Sequence, residues 1–535
     1  MRKQGAVYLV GAGPGDPGLM TVKGLDAIRR ADVVVYDHLV SERLLDACRS
    51  GAEVIYVGKE KGRHTKSQTQ INELLIRHAR AGRLVVRLKG GDPVLFGRGG
   101  EEALALAKAK IPYEIVPGVT SALAVPAYAG IPVTHRGVSS SIAVITGHED
   151  PSKPDSAIRW KELATAADTL ICLMGVSTLA TTAEQLIRHG RPKQTPCAVI
   201  EWGTLPTQRT VIGTLATIAA RCRRAGLKPP AITVVGDVVR LRRALNWFET
   251  KPLFGLRIVV TRPTDRAEQA AELLSALGAD VVKLPAIELT AVPVPARRSG
   301  REPGQANGVF HRAVDRMAEF DWVFFTSPDG IRWFRRLLAS ERRDLRVLQG
   351  RRIGAIGPKT ASSITELGIR VDFTPATFTQ EGMLSGLKKR RLAGKRALIL
   401  SAEGGRDVLE QGLKAQGVDV VRVPVYRTVA PARLAKQVGR VFQGRVDYVT
   451  VTSSSCVDHL AEALAAAGLS RLIKRIAFAS IGPVTSSTVR GRGGRVAVEA
   501  KRATIEGLVE AIVASTRRQG EVRRGTRATA TIAAA

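Results

Sequence analysis

The chain has 535 residues, of which 44% are hydrophobic, and its formal net charge is +33. A chain of this length allows three or four domains of roughly 100–200 residues each. It contains no apolar run of about 18 residues, which excludes a membrane-spanning helix, and its first apolar run ends at once in Gly and Pro, unlike a signal peptide. Five cysteines without metal-ligand spacing favour a reducing cytoplasm and no metal site.

The positive charge has two interpretations. Lys and Arg neutralise phosphates, so one is nucleic-acid binding. However, aromatic residues make up only 4% of the chain, the arginines are spread along it, and no helix-turn-helix or aromatic RNA-binding motif occurs. The other is a solvated basic surface that attracts a polyanionic small substrate. We therefore predict no nucleic-acid partner; steeply salt-dependent binding to random duplex DNA would contradict this prediction.

Residues 6–248 alternate between apolar runs and amphipathic segments, which predicts an α/β domain over residues 1–250. A first group of buried strands is predicted at VYLV (7–10), DVVVYD (32–37), EVIYVG (53–58), RLVVRL (83–88) and SIAVIT (141–146). A second group is predicted at DTLICLM (168–174), TPCAVIEWG (195–203), QRTVIG (208–213) and AITVVG (231–236). The polar segment HEDPSKPDS lies between the groups, so we expect lobes at about 1–147 and 157–250.

From KPLFG (251–255) onwards the chain repeats itself. Gly357 in AIGPKT and Gly482 in SIGPVT are 125 residues apart, and the flanking motifs share this offset. The spacing predicts two similar α/β lobes with a ligand cleft between them. Residues 291–312 are rich in Pro, Gly and Arg and are predicted to be a flexible insertion, and residues 516–535 a disordered basic tail.

The turn VGAGPGDPG matches the G-x-G-x-x-G spacing from Gly13 to Gly18, which is typical of a dinucleotide cradle. Pro14 and Pro17 each remove an N–H donor, and Asp16 places a negative charge where a phosphate would lie. The turn therefore favours a ligand without a diphosphate. Saturable quenching of NADH fluorescence by the protein would support the dinucleotide alternative.

A second glycine loop, KGGDPVLFGRGGEE, follows the apolar run RLVVRL. Gly90 and Gly91 allow close approach of the backbone, and Asp92 offers a carboxylate, which suits a cationic or hydroxyl-bearing ligand. The alternative is a tight turn in which Asp92 caps the next helix. The loop alone leaves both interpretations open.

Several motifs within about residues 5–245 together resemble uroporphyrinogen-III C-methyltransferase: GAGPGDPGLMTVKG, VVYDHLVS, VGK, LKGGDPVLFGRGGEE, VPGVTSALAVPAYAGIPVTHR and AVIEWGT. The resemblance implies a two-lobed tetrapyrrole-methylase domain that uses S-adenosylmethionine, without a metal, to methylate uroporphyrinogen III at C2 and C7 to precorrin-2. It also implies a homodimer through this half. Methyl-donor contacts are implied at Pro14, Gly90, Gly91, Asp92, Leu95, Thr120, Ser121, Met174 and Gly203, and a proton acceptor and a proton donor at Asp37 and Lys59.

Each of these residues also has a purely structural interpretation. Met174 ends an apolar strand and is typical of a core residue. Thr120 and Ser121 precede a helix and could cap it. Lys59 lies in a polar cluster typical of a solvated loop, whereas Asp37 ends a strand of valines, where a carboxylate is more indicative of function. The joint occurrence of the motifs in order favours the functional interpretation.

Motifs within residues 255–515 resemble uroporphyrinogen-III synthase: FFTSPDGI, AIGPKTA, PVYRT, VTSSSCVDHL, SIGPVTSS and ATIEGLVEAI. The resemblance implies closure of hydroxymethylbilane by two Rossmann-like lobes, one of about 255–288 plus 428–515 and the other of about 289–427. It implies a catalytic tyrosine at Tyr426 and substrate contacts at Thr326, Ser327, Thr452, Ser453, Ser454 and Thr485. For the Ser and Thr residues, helix capping is an equally good explanation. For Tyr426, the alternative is an ordinary surface position at the end of a strand.

We therefore expect a bifunctional enzyme that closes the ring in its second half and methylates it in its first. The alternative is a methyltransferase whose synthase-like half is a non-catalytic binding module. Both siroheme and cobalamin remain open as the end product.

Overall fold

The computed structural model describes residues 5–58, 66–147, 157–292 and 308–532. Contacts divide the chain into two compact units. The first unit comprises the described residues of Met1–Arg257, Leu273–Asp280 and Thr516–Ala535, and the second those of Ile258–Glu272 and Val281–Ser515. Strands alternate with helices in both units, which confirms the predicted α/β class.

Ten strands and eight α-helices precede residue 257 in the described part of the chain. The strands are Ala6–Gly11 (β1), Val33–Tyr36 (β2), Glu53–Tyr56 (β3), Leu84–Lys89 (β4), Tyr113–Val116 (β5), Ile142–Thr146 (β6), Thr169–Leu173 (β7), Pro196–Glu201 (β8), Arg209–Thr214 (β9) and Ala231–Val235 (β10). The helices are Val22–Arg30 (α1), Gln68–Arg80 (α2), Gly99–Lys108 (α3), Ser121–Tyr128 (α4), Trp160–Ala166 (α5), Leu179–Arg188 (α6), Ile218–Ala225 (α7) and Arg242–Leu245 (α8).

The first sheet has the order β3-β2-β4-β1-β5, and all of its strands are parallel. Its central strands are buried on both faces: Val33, Val34 and Val35 are all inaccessible to solvent. Continuous apolar runs are typical of strands covered by helices on both faces. Because the strands are parallel, the loops that follow β1, β2 and β4 meet at one edge of this sheet.

The second sheet has the order β6-β7-β10-β8-β9 and is mixed. Strand β6 pairs in parallel with β7, whereas the remaining pairs are antiparallel. The run SIAVIT, predicted in the first group of strands, therefore belongs to the second sheet, and the change of sheet lies between β5 and β6 rather than at residues 147–157. An apolar run shows that a strand is buried but not which sheet it joins, which explains the difference.

Ten strands and ten α-helices follow in the described part of the chain. The strands are Arg257–Val260 (β11), Asp280–Lys283 (β12), Glu288–Thr290 (β13), Trp322–Phe325 (β14), Arg352–Ala355 (β15), Arg396–Ala402 (β16), Asp419–Val429 (β17), Tyr448–Val451 (β18), Ala477–Ser480 (β19) and Arg495–Glu499 (β20). The helices are Thr264–Ala276 (α9), Gly308–Asp315 (α10), Pro328–Ser340 (α11), Pro358–Thr365 (α12), Gln380–Leu387 (α13), Val408–Lys414 (α14), Leu434–Val441 (α15), Ser454–Ala466 (α16), Pro483–Gly491 (α17) and Ile505–Ile532 (α18).

These strands form two further sheets, with the orders β12-β11-β18-β19-β20 and β13-β17-β16-β14-β15. Strands β11, β18, β19 and β20 pair in parallel, as do β17, β16, β14 and β15, while β13 is antiparallel to β17. The internal repeat is visible in the elements, because β15–α12 and β19–α17 begin 125 residues apart. The chain enters the sheet of β13 to β17 after β12 and returns to the other sheet at β18.

One segment differs from the prediction made from the sequence, and another lies mostly outside the described residues. The backbone of α18 is helical to Ile532, through most of the segment that we predicted to be disordered; residues 516–532 include five Arg, which are good helix formers. Most of the predicted insertion at 291–312 lies outside the described residues. Within the described ranges, no helix is both long and apolar enough to cross a membrane.

Candidate functional site

Two glycine loops meet at the carboxyl edge of the first sheet. The Gly13 N–H donates to the carbonyl of Gly91 (3.2 Å), and the Gly91 N–H donates to the carbonyl of Gly13 (2.7 Å). Both residues have a positive φ, of 77° and 68°, which glycine adopts without strain. A Cβ atom at Gly11 would lie 2.5 Å from the Cα atom of Gly118, so no side chain fits there. The glycines thus lie where backbone segments approach closely.

The first loop offers few donors to a diphosphate. Its two prolines have no N–H group. The Asp16 N–H donates to Oγ1 of Thr204 (3.1 Å), and the Gly18 N–H donates to Oδ1 of Asp16 (2.8 Å). Together with the Gly13 N–H, three of the four N–H groups of residues 13–18 already bond to protein atoms. This geometry disfavours the dinucleotide alternative.

A cavity of about 910 Å³ opens beside the two loops, a volume within the range of small-molecule sites. Its lining is mostly apolar and draws on loops at the ends of several strands. Eight of the residues that the sequence predicts for methyl transfer line it: Pro14, Asp37, Gly90, Gly91, Leu95, Ser121, Met174 and Gly203.

Two predicted donor contacts do not line this cavity and instead stabilise its loops. Oδ1 of Asp92 accepts the N–H groups of Val94 (2.9 Å) and Leu95 (3.0 Å), and Oδ2 accepts the Gly118 N–H (3.1 Å). Oγ1 of Thr120 accepts the Ala122 N–H (3.2 Å) and caps α4. For Thr120 the capping alternative is confirmed, whereas Asp92 stabilises its own turn and does not cap the next helix, α3. The donor contacts of both residues stay predictions.

Met174 and Gly203 lie at the ends of β7 and β8. Met174 has a φ of 57° and is 49% exposed, so the alternative that it is a core residue is wrong. A Cβ atom at Gly203 would lie 2.5 Å from Cγ2 of Val125 and closer still to Cγ1, which explains why glycine follows β8. Helix α4 can therefore approach this loop directly.

Asp37 follows β2 and is held on both carboxylate oxygens. Oδ1 accepts the Leu39 N–H (3.3 Å), and Oδ2 accepts a hydrogen bond from Nη2 of Arg87 (3.2 Å). The Asp37 side chain is 27% exposed and the Arg87 side chain 4%. Lys59, the predicted proton donor, lies outside the described residues.

Three buried charged residues are absent from the sequence prediction: Arg87 and Lys89 on β4, which line the cavity, and Glu102 in the first turn of α3. Oε1 of Glu102 accepts hydrogen bonds from Nε of Arg87 (3.1 Å) and from Nζ of Lys89 (3.1 Å). Gln68 donates to the same oxygen (3.2 Å). Burial, and secondarily the charge of Arg87, lowers the pKa of Lys89.

A signal for these residues exists in the sequence. In RLVVRLK, Arg87 and Lys89 alternate with apolar residues and share the face of Val85, which packs against α2 and α3. Val86 and Leu88 pack on the opposite face of the sheet. Because two cations inside a buried strand require an acidic partner, the pattern predicts a buried carboxylate nearby.

In the second unit, Tyr426 is buried near the end of β17, with 7% of its surface exposed. Its hydroxyl lies 3.1 Å from Oγ of Ser327, which also caps α11 by accepting the Gly330 N–H (3.0 Å). Burial is the main cause that raises the pKa of Tyr426, so the phenol keeps its proton. The expectation of a surface tyrosine is therefore wrong.

A carboxylate with two cationic partners lies in the same region. Asp329, in the first turn of α11, forms ion pairs with Arg266 on α9 and with Arg332 on α11. The charge of Asp329 contributes to raising the pKa of Tyr426, whereas the hydrogen bond with Ser327 and the two arginines oppose it. The tyrosine thus lies near a cluster of one carboxylate and two guanidinium groups.

The other predicted hydroxyl residues of the second unit are spread over both of its sheets. Thr326 follows β14, and its Oγ1 donates to the carbonyl of Leu400 in β16 (3.2 Å). Ser453 caps α16, and Oγ of Ser454 lies 2.7 Å from Oγ1 of Thr488. Thr452 directly precedes this cap, and Thr485 is buried in α17. Among the predicted hydroxyl residues, all of which the structure describes, only Ser327 is in hydrogen-bond contact with Tyr426.

Two family models match the chain. One is described as Tetrapyrrole (Corrin/Porphyrin) Methylases and matches residues 6–219, and the other as Uroporphyrinogen-III synthase HemD and matches residues 268–510. Together with the two α/β units, they define a two-domain enzyme of tetrapyrrole biosynthesis: a uroporphyrinogen-III C-methyltransferase domain followed by a uroporphyrinogen-III synthase domain. Both predicted resemblances are confirmed.

Individual relatives extend this result. The chain is similar to the porphyrin biosynthesis protein HemD of Ruminiclostridium josui, with 37% identity over 96% of this chain and 98% of that protein. It is also similar to the S-adenosyl-L-methionine-dependent uroporphyrinogen III methyltransferase of Methanosarcina barkeri, with 54% identity over 45% of this chain and 95% of that protein. A solved structure of uroporphyrin-III C-methyl transferase from Thermus thermophilus, complexed with S-adenyl homocysteine, is 42% identical with a TM-score of 0.39, and the match covers 44% of this chain and 99% of that one. The chain belongs to the HemD family of porphyrin biosynthesis proteins.

Proposed function

We propose that the first unit transfers methyl groups from S-adenosylmethionine to C2 and C7 of uroporphyrinogen III, which yields precorrin-2. The main support is the 910 Å³ cavity, where eight predicted residues surround one space. The methyl donor carries a sulfonium and no phosphate, which suits a glycine loop whose N–H groups are largely used within the protein. Pro14, Gly90, Gly91, Leu95, Ser121, Met174 and Gly203 would contact the donor, with Asp92 and Thr120 fixing the loops around it.

Methyl transfer is an in-line displacement. The nucleophilic pyrrole carbon forms a bond to the methyl group as the carbon–sulfur bond breaks, and the sulfonium becomes a neutral thioether. A rigid cavity contributes alignment, which is the main requirement of such a step. A proton must later leave the methylated macrocycle, and Asp37 on the cavity wall would accept it. The assignment of proton donor to Lys59 stays a prediction.

In the second unit we propose closure of hydroxymethylbilane to uroporphyrinogen III with inversion of the last pyrrole. The protonated hydroxyl of Tyr426 would donate a proton to the departing hydroxyl group of the substrate, so that water leaves. The arginines beside Asp329 would attract acetate and propionate groups. Hydroxyl groups of Thr326, Ser327, Thr452, Ser453, Ser454 and Thr485 are the predicted further contacts.

One assay of the full chain tests both halves. Purified protein is supplied with hydroxymethylbilane and S-adenosylmethionine, and the products are separated and weighed by mass spectrometry. We expect a type III macrocycle that has gained two methyl groups, and loss of the methylation in Asp37→Ala. A macrocycle with unchanged mass in the presence of the donor would refute the methyltransferase proposal.

The same assay without S-adenosylmethionine tests the alternative of a non-catalytic synthase-like module. An active second unit gives the type III isomer, and Tyr426→Phe gives a larger share of the type I isomer, which forms spontaneously. Only type I product from the unaltered chain would support the binding module instead.

Two finer proposals follow from the predicted family properties. We propose a homodimer through the first unit, which light scattering of the purified chain tests directly. We also propose that precorrin-2 supplies siroheme or cobalamin synthesis. Conversion of the product by a purified enzyme of either route would decide between the two.

A further inference from the structure

We propose that Arg87 is a positioning residue for methyl transfer, which holds the Asp37 carboxylate in the orientation that accepts the proton and is itself held by Glu102. This inference rests on the proposed role of Asp37 and adds residues that neither the motifs nor the comparisons assign.

The Arg87 side chain bridges two carboxylates with different surroundings. Its Nη2 donates to Oδ2 of Asp37 at the cavity wall (3.2 Å), and its Nε donates to Oε1 of Glu102 (3.1 Å). Its Nη1 donates to the carbonyl of Leu88 (2.9 Å). The planar guanidinium is therefore fixed at three points, and it fixes Asp37 in turn.

Glu102 is completely buried and anchors the Arg87 side chain to helix α3. It lies in the first turn of α3, where the helix dipole favours a carboxylate. Its Oε1 also accepts Nζ of Lys89, so both cations of β4 share one oxygen, while Oε2 has no hydrogen-bond partner among the described residues. A strand and a helix, rather than flexible loops, thus set the position of Arg87.

The opposite carboxylate oxygen restricts Asp37 further. Oδ1 of Asp37 accepts the Leu39 N–H (3.3 Å), and this second hydrogen bond fixes the plane of the carboxylate. Arg87 and Lys89 also line the cavity, so the network borders the space in which the macrocycle would react. Four acidic and basic side chains form this network, and only Asp37 among them is substantially exposed, which matches a preorganised proton acceptor better than a surface ion pair.

The test is a double-mutant cycle on the full chain. Single-turnover methylation of uroporphyrinogen III is measured for the unaltered protein, Arg87→Lys, Asp37→Asn and the double variant. Arg87→Lys keeps a positive charge but loses the fork that reaches both carboxylates. We expect it to slow methyl transfer by about 100-fold. In the Asp37→Asn background it should change the rate by less than about twofold, because residues that act as a unit are not additive.

Matched measurements separate positioning from general damage. Arg83→Lys, at the exposed residue directly before the same strand, should leave the rate unchanged. The affinity of Arg87→Lys for S-adenosylmethionine, measured by calorimetry, should stay within about twofold of the unaltered protein, since the inferred role concerns the acceptor. If Arg87→Lys does not fold, Gln68→Ala serves in the same cycle, since it keeps every charged partner and removes one hydrogen bond to the Glu102 oxygen that holds Arg87.

The possible results separate the positioning role of Arg87 from the proposed methyltransferase function. Equal slowing by Arg87→Lys with and without Asp37, or no slowing at all, overturns the positioning role and leaves the proposed function intact. Full methylation by Asp37→Asn alone removes Asp37 as acceptor and overturns the positioning role with it. An unaltered chain that binds no S-adenosylmethionine refutes the proposed function itself.

Discussion

The contact between Gly203 and Val125 allows a quantitative prediction. In Gly203→Ala the new Cβ atom would lie 2.5 Å from Cγ2 and 2.8 Å from Cβ of Val125. Carbon atoms in contact prefer about 3.5–4.0 Å, so the two side chains must separate by about 1 Å or more. Val125 is 3% exposed and packs in the core beneath α4, so the helix must move or the valine must leave its rotamer.

We expect Gly203→Ala to lower the free energy of unfolding of the first unit by about 1–3 kcal/mol, the usual cost of overpacking. Because both residues line the cavity, its affinity for S-adenosylmethionine should also fall, by about tenfold, which corresponds to ~1.4 kcal/mol. Urea unfolding and calorimetry measure the two effects. Gly100→Ala is the matched control, since a Cβ atom there meets no atom within 4 Å, and it should be neutral or slightly stabilising.

Rescue is the decisive result. Val125→Ala removes both methyl groups that collide with the new Cβ atom and should by itself cost about 2 kcal/mol through lost packing. In the double variant the two costs should not add, and a coupling of about 1 kcal/mol or more is expected for residues in contact. Additive costs, or native stability and donor affinity in Gly203→Ala alone, would refute the steric explanation.

Three further predictions concern both units. Glu102→Gln leaves two buried cations beside a neutral amide, so it should lower the free energy of unfolding by about 3 kcal/mol or more in urea. The control Glu53→Gln removes an exposed carboxylate and should lower it by less than about 1 kcal/mol. Similar losses in the two variants would contradict the importance of burial. Tyr426→Phe should slow ring closure by about 100-fold, if the hydroxyl acts as an acid, and raise the type I share in chromatography, with little change in melting temperature. Hydrogen bonding by Arg316 is the main cause that lowers the pKa of Glu319 to about 2 from 4.5, so its contribution to stability is present above pH 4.5 and lost as the pH falls towards 2. Glu319→Gln should therefore lower the melting temperature at neutral pH and progressively less below about pH 4.5, and a constant difference would contradict this sign.

The α/β class could be predicted because buried parallel strands leave long apolar runs in the sequence. Val33 to Val35 of β2 are an example, and the turn that follows them correctly places Asp37 at the carboxyl edge of the sheet. The membership of β6 could not be predicted, because Ile142–Thr146 is as apolar as the strands of the first sheet. Which sheet a strand joins depends on contacts distant in sequence, which local periodicity does not encode.

The candidate site shows a similar division. Motif order predicts eight residues that line one cavity, but it does not distinguish Asp92, which stabilises a turn, from Gly91, which faces the cavity. Short carboxylate and hydroxyl side chains serve equally as helix caps and as ligand contacts, and only their surroundings decide. Arg87 is absent from the sequence prediction because its partner Glu102 lies on the next helix, in a segment whose charges are typical of a solvated surface.

The G-x-G-x-x-G spacing of the first loop has a structural origin that does not involve phosphate. Gly13 needs its positive φ to exchange hydrogen bonds with the second loop, and Gly15 has a φ of 146°, which side chains rarely adopt. Gly18 donates to the side chain of Asp16, whose other oxygen accepts the hydroxyl of Tyr128 (2.8 Å). The acidic residue that would repel a diphosphate is thus the centre of the turn's own hydrogen bonding. The spacing that exposes N–H groups in a dinucleotide cradle here uses most of them for hydrogen bonds within the protein, so the proposed ligand would instead contact the cavity wall and the Asp37 carboxylate after β2.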